Sequence, residues 1–296
     1  MKDLFRYNAY GLNIASELLL PGLAAGYSDS DLFIREKKNG TCSDGNMDRR
    51  WKLEISEDNS ASLSIKDHAT FYIREGKEVT VFTTKNADDR LIRQYIMGIV
   101  FGILLYQRGL LVLHAGAVEF DGGAIAFVGN PGAGKSSVAG ALYKKGYKIV
   151  TDDITPVDVD SERCLVFPGC PYLKIGQEVA DGLGYDFELL DIIHPLEEKR
   201  LLDVHSRFQK NPLPLRSIFV LTDCADQGVE KISPREAVIE LIRHTFPTRL
   251  QRSGTTLHFM QCAELVNRVP VYRLRRTKTI SALSELVPVI EKKVGI

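Results

Sequence analysis

Three stretches of this 296-residue chain carry residue types and spacings that could do chemistry. The first is Gly129-Asn130-Pro131-Gly132-Ala133-Gly134-Lys135-Ser136, followed by Ser137, which has the glycine and lysine spacing of a phosphate-binding loop. Its glycines let backbone N–H groups turn inward around phosphate oxygens, and the next helix adds the positive end of its dipole. Lys135 would reach the β- and γ-phosphates of ATP, and the Ser136 hydroxyl would ligate magnesium. The second stretch is Asp152-Asp153, adjacent carboxylates. One can hold magnesium while the other accepts the proton of an attacking hydroxyl, the division of labour that phosphoryl transfer requires. The third is His114, in Leu111-Val112-Leu113-His114-Ala115-Gly116-Ala117-Val118. It could pair with a catalytic aspartate, although the pattern alone suits a satisfied core histidine.

These residues need elements that hold them together. Ala124 to Val128 reads as a strand, Lys135 to Lys145 as a helix and Tyr147 to Val150 as a strand, with another strand over Leu110 to His114. That alternation predicts an α/β core in which Asp152-Asp153 emerge at the C-terminal edge of a sheet beside the phosphate loop, where open α/β sheets bind ligands. Leu215 to Leu221 is a further strand, and Ser233-Pro234-Arg235-Glu236 fits a capping box opening a helix to about His244. A last helix is expected over Ile280 to Lys292, kinked or shortened by Pro288.

Upstream, alternating pairs such as Leu63/Ile65, Phe71/Ile73 and Val79/Val81 predict strands, interrupted by a polar loop over Lys37 to Arg50 with Asn39-Gly40 and Asp44-Gly45. Residues 88–107 have helical spacing, with Gly109 as a stop. The expected division is a small β-rich domain over residues 1–86 and an α/β domain over 87–296.

A cation is also expected, to neutralise charge developing on a transferred phosphoryl group. Lys199, Arg200, Arg207 and Arg243 are the candidates, and Arg200 is favoured because Leu201-Leu202 could anchor it. Arg249, Arg252, Arg273, Arg275 and Arg276 make the C-terminal part basic, which suits a solvated face, or a subunit or acidic-peptide contact.

Composition narrows the class. Lys and Arg number 38, and Asp and Glu also 38, so no global field draws the chain to nucleic acid. The five cysteines, Cys42, Cys164, Cys170, Cys224 and Cys262, form no Cys-x-x-Cys pair and read as reduced thiols of a cytoplasmic protein. The apolar run Ile96 to Tyr106 falls short of the ~20 residues needed to span a bilayer, so no membrane partner is expected.

His114-Ala-Gly-Ala-Val118, then the phosphate loop, then Lys145-Gly146-Tyr147-Lys148-Ile149-Val150-Thr151-Asp152-Asp153 resembles, in order and content, the C-terminal kinase domain of HPr kinase/phosphorylase. Tyr10-Gly11-Leu12-Asn13-Ile14-Ala15-Ser16-Glu17 is similar to the start of the HPr kinase-like proteins found with lasso-peptide biosynthesis. The resemblance implies a P-loop kinase core related to phosphoenolpyruvate carboxykinase, an α/β fold carrying a small β-rich N-terminal domain. It implies ATP- and magnesium-dependent phosphorylation of a serine hydroxyl on a peptide or protein, with Asp153 as base, His114 as its partner and Asp152 as metal ligand. The lasso-type likeness implies an acceptor in the C-terminal region of a precursor peptide. HPr kinases assemble as oligomers, which implies a homo-oligomer. Two departures stand out: the N-terminal region is smaller than in HPr kinases, and Phe167 to Lys174 and Glu198-Lys199-Arg200 replace their downstream glycine-rich signature. A kinase for HPr or a small metabolite is one alternative. A regulator that binds nucleotide without passing phosphate on is another.

Overall fold

A computed structural model describes residues 4–26, 29–38, 50–193, 197–246, 256–279 and 281–295, without the side chains of Ser281 and Ser284. Most of the expected loop after Lys37, together with Cys42, Arg249 and Arg252, lies outside the described residues. The chain divides into two compact units, Met1–Leu110 and Leu111–Ile296.

In the first unit, alternating apolar residues build one sheet. Its strands are β1 (Phe5–Ala9), β2 (Leu12–Ser16), β3 (Ala24–Ala25), β4 (Leu32–Lys38), β5 (Trp51–Ile55), β6 (Ala61–Ile65), β7 (Ala69–Arg74) and β8 (Glu78–Thr83), in the order β3-β1-β2-β4-β8-β7-β6-β5. β4 runs parallel to β2 and β8, and the other pairs are antiparallel. Period-2 alternation puts Leu63, Phe71, Ile73, Val79 and Val81 in the core. The helical stretch after the sheet belongs to this unit, so the boundary expected near residue 86 falls inside it. Phe101 packs on Tyr10 and Tyr95 on Phe71, with ring centroids 5.3 and 6.4 Å apart. The Gln107 amide also ties the stretch to the sheet by donating to Ile73 O.

That stretch is not one regular helix. α1 (Asp89–Tyr95), capped by the Asp88 carboxylate, passes through a π-helical segment (Ile96–Val100) into α2 (Phe101–Gln107). The break comes at Gly98, whose backbone (φ −114°, ψ −107°) leaves the helical region, a conformation that the missing Cβ permits.

The second unit is built on a mixed sheet. Its strands are β9 (Leu111–Leu113), β10 (Ala115–Phe120), β11 (Gly123–Val128), β12 (Ile149–Thr151), β13 (Thr155–Asp158), β14 (Leu165–Val166), β18 (Leu213–Asp223), β19 (Gly228–Lys231) and β20 (Val271–Arg276). A smaller sheet contains β15 (Tyr172–Ile175), β16 (Asp191–Ile192) and β17 (Arg200–Asp203). β11, β18 and β20 are parallel, whereas β10 runs antiparallel to both β11 and β12. The β10–β11 hairpin turns through Asp121 and Gly122, both at positive φ, as a two-residue turn between twisted strands requires. The helices of this unit are α3 (Lys135–Lys145), α4 (Gln177–Leu183), α5 (Pro234–Arg243), α6 (Thr256–Arg268) and α7 (Ser281–Val294).

Two local expectations are corrected. Pro288 lies inside α7 and does not end it, so the helix runs past Lys292. Only half of the capping box forms: the Ser233 hydroxyl accepts from the Glu236 N–H at 3.3 Å, but the Glu236 carboxylate pairs with Arg273. A full guanidinium charge out-competes one backbone N–H for that carboxylate.

Candidate active site

Because β10 runs against β11 and β12, it begins at the sheet edge where those two strands end. His114 immediately precedes β10, the phosphate loop follows β11, and Asp152-Asp153 follow β12, so all three come to one edge. The expected strand around His114 is two strands that change partner at this residue. β9 pairs with β13, β10 pairs with β11 and β12, and the His114 N–H donates to His244 O at 2.7 Å between them.

The loop over residues 129–134 enters α3 through Gly134, which is left-handed (φ 89°) and gives the helix no side-chain cap. First-turn N–H groups without an intrahelical partner or a cap suit an anion. Lys135 is buried, and its ammonium donates to Gly129 O at 2.9 Å and Asn130 O at 3.4 Å within the loop. Beneath the loop lies the buried Arg276, at the end of β20, whose guanidinium donates to Ala133 O at 2.8 Å. Arg276 belongs to the run read as a solvated basic face; here it braces the loop from inside the protein. Arg273 of the same strand pairs with Glu230 and Glu236.

The Ser136 hydroxyl donates to both Asp152 carboxylate oxygens, at 3.0 and 3.2 Å, and the Lys174 N–H donates to Asp152 Oδ2 at 3.0 Å. A hydroxyl and a carboxylate in contact make a donor set suited to magnesium, which takes one or two protein ligands and completes its shell with water and phosphate oxygens. Among the described residues there is no group of three or more His, Cys, Asp or Glu that could hold a metal ion. Burial and the charge of Asp153 push the Asp152 carboxyl up, outweighing the Lys174 N–H and the Ser136 hydroxyl.

Asp153 has φ 68°, a left-handed backbone uncommon outside glycine, which turns it away from the strand direction. Its carboxylate meets the Lys174 ammonium at 2.7 Å. Burial alone would raise this carboxyl, but the Lys174 charge, with those of His114 and Lys199, holds it well below the usual carboxylate range. His114 was expected beside the carboxylate. Its Nδ1 lies 3.1 Å from the carbonyl oxygen of Asp153, so the ring holds the left-handed backbone, and its charge acts on the carboxylate.

His114, Pro131, Gly132, Gly134, Lys135, Ser136, Ser137, Asp153, Lys174 and Lys199 all line one cavity of about 630 Å³. Its far wall carries Ile175 to Val179, Phe187 and Glu198. Arg200, favoured as the cation, lies elsewhere. It pairs with Glu188 at 2.7 Å, donates to Phe187 O and lies over the Phe187 ring, and it is not a lining residue. Arg207 lies over the Tyr143 ring and Arg243 pairs with Glu240. Lys174 was missed as a site residue, since a lysine alternating with apolar residues in a short strand reads as a solvated side chain.

No family model matches the chain. Among curated proteins, the HPr kinase/phosphorylase of Chlorobium phaeobacteroides is 27% identical over 151 residues, covering 51% of this chain and 42% of that protein. That of Prosthecochloris aestuarii is 26% identical over 151 residues, with the same coverage. That of Clostridium botulinum is 27% identical over 144 residues, covering 47% of this chain and 45% of that protein. The chain therefore matches less than half the length of each relative. Among solved structures, the Hpr(Ser) kinase/phosphatase from Coxiella burnetii matches with a TM-score of 0.35 and 12% identity, over 62% of this chain and 96% of that chain, a likeness too slight to bear on the fold. Over about half its length, this chain is similar in sequence to HPr kinase/phosphorylases.

Proposed function

We propose that this chain is a kinase that passes the γ-phosphoryl group of ATP to a serine hydroxyl of a peptide or protein. The observation that carries the reading is one cavity lined by the phosphate loop and Asp153, with the loop's Ser136 bonded to the Asp152 carboxylate. The chain's similarity to HPr kinase/phosphorylases supports phosphoryl transfer.

In this reading the backbone of residues 129–136 and Lys135 bind the phosphates, and Ser136 and Asp152 hold magnesium, which when bound neutralises charge on the phosphate oxygens. Asp153, kept ionised by its cations, takes the proton from the serine hydroxyl as that oxygen attacks phosphorus. His114 fixes the Asp153 backbone and so aims the carboxylate. Lys199, in place of Arg200, supplies positive charge from the cavity wall. For the acceptor we propose the C-terminal region of a lasso precursor peptide, in keeping with the lasso-type start of the chain. HPr is the competing acceptor, favoured by the relatives' names.

Mass spectrometry of both acceptors after incubation with magnesium and ATP tests these readings. The precursor peptide should gain 80 Da, about the mass of one phosphoryl group, or a multiple of it, and the Lys135→Ala variant should add none. Gain on HPr alone moves the acceptor, and gain on neither with ATP still bound supports a nucleotide-sensing regulator.

A further inference from the structure

Resting on the kinase reading, we propose that Lys174 is the residue that contacts the third phosphate and ties it to the base. Lys174 is fixed at both ends. Its backbone N–H donates to Asp152 Oδ2, the carboxylate that also accepts from Ser136, so β15 is tethered to the first turn of α3 through one side chain. Its ammonium lies 2.7 Å from Asp153 Oδ2, and the pair keeps 27% and 30% of its side-chain surface exposed. Lys174 lines the cavity alongside Lys135 and Ser136, so that exposed remainder faces the space the phosphates would fill. An ammonium has three donors, and the bond to Asp153 uses one, leaving others to point at phosphate oxygens.

The charges fit the same role. The Lys174 ammonium, paired with the Asp153 carboxylate at 2.7 Å, brings positive charge to the cavity it lines. Lys135 and Lys199 line the same cavity, and Lys174 meets the Asp153 carboxylate there, which places it between acceptor base and donor phosphoryl. In the transfer step the serine oxygen forms its bond to Pγ, the bond from Pγ to the bridging oxygen of ADP breaks, and the serine proton goes to Asp153. Lys174 stays protonated throughout and stabilises the charge on the phosphoryl oxygens.

The test is calorimetric titration of the full chain with ADP and with the β,γ-imido analogue of ATP, each with magnesium. Lys174→Met should weaken the triphosphate analogue about tenfold or more while leaving ADP within about twofold, and Lys174→Arg should restore most of the difference. A purely structural lysine would change both ligands together. Equal losses for the two ligands, or no loss, overturn the proposal. If Lys174→Met does not fold, the contrast between Lys174→Gln and Lys174→Arg decides in the same way. Should the contrast appear while no acceptor is phosphorylated, the kinase reading falls and the phosphate contact stands; failure of the unaltered chain to bind either nucleotide removes both.

Discussion

The two units handle charge in opposite ways. In the first, ion pairs lie in solvent: Arg35 and Glu78 meet at 2.8 Å with 55% and 40% of their side-chain surface exposed, and Lys52 and Glu54 pair at 3.0 Å, more exposed still. Such pairs contribute little. In the second, Asp152, Asp153, Lys135 and Lys174 crowd one sheet edge, with a carboxyl pushed up, a carboxyl pushed down and a lysine buried within its own loop. The fold favours the charge on Asp153 and disfavours the one beside it on Asp152. Electrostatic strain of this kind, held in place by a well-packed core, marks where a ligand's charge is meant to complete the arrangement.

The strongest way to break this contrast is Asp153→Asn, which keeps a side chain that tolerates the left-handed backbone. Transfer should fall about 10²- to 10⁴-fold with the far-ultraviolet circular dichroism unchanged. A variant with near-normal rate would mean that the strained carboxylate does no chemistry.

Next in size is a comparison of neighbours. Lys199→Met should reduce the transfer rate about tenfold, and Arg200→Met should leave it within about twofold, because only Lys199 lines the cavity. The reverse order would return the cationic role to Arg200.

The smallest effect concerns stability. Asp152→Asn removes a carboxylate whose charged form the fold disfavours, so at pH 7.5 it should melt higher, by on the order of 1 kcal/mol, although its transfer activity is lost. A raised folded-state carboxyl loses stability as pH rises through its folded value. The gain should therefore shrink as pH falls and vanish below the ordinary aspartate range, where both states are protonated. Arg35→Ala in the first unit should shift stability by no more than about 0.5 kcal/mol at either pH. Equal responses of the two variants would erase the distinction between the units.

Much of the second unit was legible because its signals are local. Gly134 and Lys135 announce a strand-to-helix turn, and Asp152-Asp153 follow a short apolar strand. What stayed hidden depends on contacts distant in sequence. Nothing near Lys174 shows that it will meet Asp153, 21 positions earlier. Arg200 looked anchored by Leu201-Leu202, but its partner is Glu188, 12 positions earlier. The break at Gly98 and the continuation of α7 through Pro288 show the same limit: a glycine in an apolar helix gives no warning of a π segment, and helix-breaking propensity yields to the packing of Leu286, Val287 and Ile290 in the core. The boundary at residue 86 rested on a change from strands to helix. Compactness follows side-chain contacts instead, and α1 and α2 make theirs with the sheet before them.

Gly134 has a second reason to be glycine. A Cβ there would run into the Arg276 guanidinium, on a backbone already at φ 89°. A motif search keeps this glycine on account of phosphates expected above the loop, yet its left-handed backbone disfavours any other residue whether or not a phosphate binds. A chain without nucleotide chemistry could keep the Gly-Lys-Ser signature as architecture. The signature taken alone is therefore a poorer witness to activity in this protein than the pair of aspartates across the cavity.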